Sequence, residues 1–142
     1  FYFIVDGKSI TGAYPDDKVA EESEKLLTWG EGMTAYLPKQ VKLFADGAIF
    51  SEAMQVRGGY TDGHQGEWMM DPDFFARTFR VYWSLDYQIH IHVNGDAGLV
   101  RLCATRGAFT VSAGAGVTPA NSNSLVSGGS SALVWFMASA RS

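Results

Sequence analysis

The sequence predicts an α/β fold with parallel strands, on three observations. Residues Gln40 to Phe44 and Gln88 to Val93 alternate apolar and polar side chains with the two-residue period of a strand. A helix-forming stretch from Asp71-Pro72 to Trp83 lies between them, and the order strand, loop, helix, strand implies a parallel crossover. Both strands run into an Asp beside a Gly, Asp46-Gly47 and Gly95-Asp96, which marks a sharp turn. Val41 and Leu43 share one face of the first strand; Gln40, Lys42 and Phe44 share the other. In the second, Ile89, Ile91 and Val93 oppose Gln88, His90, His92 and Asn94. An apolar face for helices, with Lys and His opposite, suits a barrel whose interior is a reaction site at the carboxyl ends of its strands.

The remaining elements follow in order. Phe1 to Val5 reads as a strand closed by an Asp6-Gly7 turn. Asp16 or Asp17 caps a helix to about Thr28, with Val19, Ala20, Ser23, Leu26 and Leu27 at helical spacing and Gly30 as its stop. Met33 to Pro38 reads as a connector, and Lys39 to Phe44 as the first sharply patterned strand. Asp46 to Met70 is a long, glycine-bearing loop, a length more often functional than idle. Asp71 is an N-cap with Pro72 at the first helical position. Phe74, Phe75, Phe79, Tyr82 and Trp83 then form an apolar stripe that packs on a sheet.

Composition bounds the function. The 142 residues suffice for one domain with a core. A net charge of −4 leaves no electrostatic footprint for nucleic acid. The longest apolar run, Ala132 to Ala138, is too short for a membrane span, which takes roughly 20 residues. Cys103 is the single cysteine, so no internal disulfide framework is expected and a reducing compartment is permitted. No charged leader precedes the apolar start, and a cytoplasmic location is expected. The chain opens inside a strand-like run, which predicts a fragment of a longer protein. All 15 acidic residues lie at or before Asp96, and residues 112–131 are rich in Ser, Gly, Ala and Asn. This change predicts a boundary, with 1–99 in the domain and 100–142 as a tail that is disordered or translated out of frame.

Three motifs carry a family resemblance: Val41 to Ser51 (VKLFADGAIFS), Tyr60 to Met69 (YTDGHQGEWM) and His90 to Gly98 (HIHVNGDAG). Together they resemble amidohydrolase family 3, the YtcJ-like metal-dependent hydrolases, over about residues 1–99. The resemblance implies part of a (β/α)8 TIM-type barrel around its fourth and fifth strands. It implies one or two divalent metals, zinc foremost, and a small amide-type substrate whose C–N bond is cut by a metal-activated water. Lys42 matches the lysine that carries a bridging carbamate, and His92 matches a metal-ligand histidine. A carbamate forms only from the neutral amine, so the ammonium form must be disfavoured there. The family's His-x-His pair, its later-strand histidine and its last-strand aspartate have no counterpart here.

Each residue also has a plainer reading. Lys42 could be a strand-end lysine paired with a carboxylate. His90 and His92, at i and i+2 on one face, suit either a metal or a solvent-facing sheet surface; His90 reads as a ligand or a neighbour of one. Asp46 and Asp96 are candidate catalytic groups and equally candidate turn-formers. His64, Glu67 and Trp68 could face substrate from the loop or be a solvated loop. For function, the enzyme reading stands beside two others. One is a non-catalytic fragment that binds a metal or a partner without turnover; the other is a small independent α/β binding domain. Substrate identity, metal number and oligomeric state are not legible.

Overall fold

The computed structural model describes residues 1–30 and 32–112, with side chains described as far as Thr105. Three strands, β1 (Tyr2–Asp6), β2 (Ala35–Phe44) and β3 (Gln88–His92), form one parallel sheet in the order β1-β2-β3. The helices are α1 (Gly7–Ala13), α2 (Val19–Lys25), α3 (Pro72–Ser84) and α4 (Asp96–Ser112). Short 3₁₀ turns flank α2 at Asp16–Lys18 and Leu26–Thr28, and another, Ile49–Ser51, follows β2. The fold is thus mixed helix and strand on a small parallel sheet. Among the described residues these three strands form an open sheet.

Strand alternation sorts the two faces as the sequence implies. Val5, Val41, Leu43, Ile89 and Ile91 are at most 2% exposed and join Val19, Phe75, Phe79 and Tyr82 in one core cluster. Burying a side chain of this size contributes about 1.5–3 kcal/mol. The stripe on α3 provides that cover: Phe75, Phe79 and Tyr82 are buried, while Phe74 and Trp83 pack at its margin. Asp71 caps α3 as predicted, accepting from the backbone of Asp73 at 3.0 Å and Phe74 at 3.2 Å.

Three details differ from the sequence reading. Asp6-Gly7 does not end in a turn; it starts α1. Asp6 accepts from Lys8 N at 3.1 Å and Ser9 Oγ at 2.5 Å, which caps the helix. A Cβ on Gly7 would lie 2.6 Å from Leu43 Cδ2, so glycine lets α1 sit directly on the sheet. Residues 35–38 are strand, not connector, because Tyr2 and Phe3 pair with Ala35 and Tyr36. The register then slips, and Leu37 to Gln40 lie opposite Ile4 alone. Pro38 lacks an N–H and Lys39 has φ +54°, which suits a bulge there. Asp16 and Asp17 do not cap α2, and Asp16 instead pairs with Arg77 Nη2 of α3 at 2.6 Å.

The expected boundary at residue 99 falls within α4. Leu102 is 2% exposed in the core cluster, and Arg101 reaches Asp73 at 3.3 Å. These contacts attach the helix to the domain. The rest of the predicted tail, 113–142, lies outside the described residues. Among the described residues no helix is long and apolar enough to cross a membrane.

Candidate metal centre

The face of the sheet opposite the helices carries the predicted ligands. Parallel register sets Lys42 beside His90 and Phe44 beside His92, with Asp6 on the other side of Lys42. Lys42 Nζ lies 5.1 Å from the Phe44 ring centre, and that ring lies 6.2 Å from the His92 ring. His90 is 8% exposed and its Nε2 donates to Gln40 Oε1 at 3.0 Å. Lys42 and His92 are half-buried.

Asn94 sets the state of His92. Its Nδ2 donates to the Gly47 carbonyl and to His92 Nε2, each at 2.9 Å. The carbonyl can only accept, so the amide must present its NH2 group at this point. His92 Nε2 then accepts, and the neutral ring carries its proton on Nδ1. Burial pushes the Lys42 amine below the usual lysine range. Burial, and next the Lys42 charge, push His90 and His92 down; Asp46 partly opposes this at His92. All three groups are therefore biased toward the neutral forms that a carbamate or a metal ligand requires.

The two candidate carboxylates sit in different structural roles. Asp46 is fully buried, and its oxygens accept from Asn94 N at 2.8 Å, Gln55 N at 2.9 Å and Gly95 N at 2.7 Å. It joins the end of β2, the long loop and the turn after β3. Asp96 is exposed and accepts from Arg57 N and Arg57 Nε, both at 2.9 Å. Those bonds hold its carboxyl below the usual carboxylate range. Asp46 stands in a bridge with Trp68 and Asp96 begins α4, so each carboxylate ties backbone segments together without itself lying in a turn.

The loop brings together residues that the sequence keeps apart. His64 Nδ1 lies 2.6 Å from Asp62 Oδ1, and Nε2 lies 3.1 Å from the Glu52 carbonyl. Its ring stacks on Tyr60, centre to centre 4.2 Å and 7° from parallel. Both nitrogens face acceptors, and the Glu52 carbonyl, then Asp62, push the imidazole above its ordinary range. Glu52, Asp62 and His64 each offer a ligand atom, and these lie within 4.8 Å of one another. Glu67 projects an exposed side chain, while its backbone N donates to the Ala53 carbonyl at 2.9 Å. Trp68 bridges to Asp46 and lines a crevice with Ala45, Met70 and Phe75. Sequence reasoning missed Glu52, Gln55 and Gln40 as site neighbours. For Gln40 and Asn94 the signal was present in the strand alternation; for Glu52 and Gln55 there was none.

No protein-family model and no curated protein matches this chain. Two solved structures do. An uncharacterised metal-dependent hydrolase from Pyrococcus furiosus superposes with a TM-score of 0.50 at 22% identity, over 66% of this chain and 20% of that one. One from Pyrococcus horikoshii OT3 gives 0.50 at 20% identity, over 76% and 20%. This likeness is one of fold. The chain spans about a fifth of each of those structures.

Proposed function

We propose that this chain is the ligand-bearing part of a metal-dependent amidohydrolase, akin to amidohydrolase family 3, whose whole barrel cleaves C–N bonds of small amides. One observation carries the reading: Lys42, His90 and His92 lie side by side on the sheet face opposite the helices, each biased toward its neutral form. Lys42 and His92 would hold the ion, with His90 beside them. The donor set of an amine and imidazoles suits zinc or a similar divalent ion. When bound, such an ion lowers the pKa of water and polarises a carbonyl.

This chain's residues supply the rest. Burial lowers the Lys42 pKa and so favours the neutral amine, the form that would add to carbon dioxide with release of one proton to leave an oxygen-donor carbamate. Asn94 orients the His92 ring, and Asp46 holds Asn94 in place through its backbone N–H. Phe44 shares this face, its ring 5.1 Å from Lys42 Nζ and 6.2 Å from the His92 ring.

A second reading has its own support. Three strands and about a fifth of the length of the similar structures are less than the roughly 250 residues of a closed barrel. A catalytic zinc takes about three protein ligands. On that ground the 142-residue chain alone binds metal without turnover. The test is zinc titration of the full chain, with an assay on N-formyl and N-acetyl amides. Turnover lost in Lys42→Ala and His92→Ala supports the enzyme reading of the chain. Zinc binding without turnover, weakened in the same variants, supports the binding reading. Zinc binding unchanged in both variants overturns the assignment of the sheet face.

A further inference from the structure

We propose that Glu52, Asp62 and His64 form a second divalent-cation site, in the loop between β2 and α3, which takes zinc or a similar transition ion and clamps the loop. The site does not rest on the hydrolase reading, since it uses none of the sheet-face residues. Its donors are one imidazole nitrogen and two carboxylates, all within 4.8 Å. The Glu52 carbonyl, 3.1 Å from His64 Nε2, faces the ring nitrogen opposite to the one beside Asp62, so solvent would complete the coordination.

Charge supplies an independent argument. Some acidic side chains elsewhere meet cations, Asp16, Asp73 and Asp96 an arginine and Glu22 and Glu24 a lysine, while Asp17, Glu67 and Asp86 pair with none among the described residues. Among the described residues neither Glu52 nor Asp62 pairs with a lysine or an arginine. Their two negative charges converge on a single imidazole, which offsets one of them at most.

The geometry is close to what an ion requires. Around a tetrahedral zinc with bonds of about 2.0–2.1 Å, ligand atoms stand about 3.3 Å apart. Glu52 and Asp62 are exposed and His64 is half-buried, so side-chain rotation can contract the cluster without moving the backbone. On binding, the ligating nitrogen gives its proton to solvent and the ion takes that place. Residues 52 and 62–64 then become one cross-linked unit.

The test separates this site from the sheet face. His92→Ala full-length chain is titrated with zinc by calorimetry and with cobalt by visible absorption. One ion is expected to bind with the strong absorption of a tetrahedral centre. Adding His64→Gln is expected to weaken it about tenfold or more. Glu52→Gln, a surface change that leaves the ring stack intact, is expected to weaken it in the same sense. Zinc binding that neither substitution alters, or no binding in the His92→Ala chain, overturns the proposal.

Discussion

Two histidine sites in this molecule are tuned in opposite directions. On the sheet face His90 and His92 are pushed down by burial and by the charge of Lys42. In the loop His64 is pushed up, by the Glu52 carbonyl and by Asp62. The side chains are chemically identical, and the surroundings decide which form each favours. A strand packed beside a lysine desolvates an imidazole and repels its proton. A loop that folds two acceptors around a ring holds that proton. In the first environment the rings are biased toward neutrality, and an ion at His92 Nε2 must displace the Asn94 amide; in the second an ion must displace a proton.

The largest expected effect comes from removing the group that joins the two regions. Asp46→Ala leaves the backbone N–H groups of Asn94, Gln55 and Gly95 without their acceptor. The expected loss is about 3 kcal/mol, read from urea unfolding. Unchanged stability would show that the sheet end and the loop are held independently.

Asn94→Ala acts on the sheet face alone. It deletes two side-chain hydrogen bonds and is expected to cost about 1 kcal/mol. It also removes the donor that occupies His92 Nε2, so His92 is expected to titrate at a higher pH in an NMR titration. A His92 pKa that falls or stays would refute the assigned tautomer.

Lys42→Met tests the cause of the depressed histidines. Loss of the positive charge is expected to raise the pKa of both His90 and His92 while leaving His64 in place. Both stay below the ordinary histidine value, because burial is the larger cause. If His92 alone responds, Lys42 does not act on both rings.

The smallest effect is a pair of pH dependences of opposite sign. His90 and His92 have folded values below their unfolded ones. Their contribution to stability is present above the unfolded value of about 6.5 and is lost as pH falls through the folded values. His64 has a folded value above its unfolded one. Its contribution is present below about 6.5 and is lost as pH rises through the folded value. Amide exchange at Tyr60 and Gly63 is expected to quicken on that alkaline side. Asp62→Asn is expected to move the transition to lower pH, because it removes one of the acceptors that raise His64.

Much of the fold was legible in the sequence. The core assignments of Val41, Leu43, Ile89 and Ile91 follow from alternation, which is a local property of the extended chain. The start of α3 at Asp71-Pro72 follows from its capping chemistry, also local. Helix α1 was not legible, because Asp6-Gly7 signals a turn as strongly as a cap. Only the packing of Gly7 against Leu43 separates the two. The strand character of residues 35–38 was hidden by Pro38 and emerges from pairing with β1. Within the candidate site, the shared face of Lys42, His90 and His92 was legible in the strand alternation.

What the sequence determined by itself is which side chains share a face and where the chain must turn, since each depends on a few neighbouring residues. The tertiary structure alone decided that Lys42 stands beside His90, that Asp46 meets three backbone donors, and that Glu52 reaches Asp62 and His64. Each of these depends on strand register or loop closure. Those are set by the summed packing of distant segments, which no local pattern encodes.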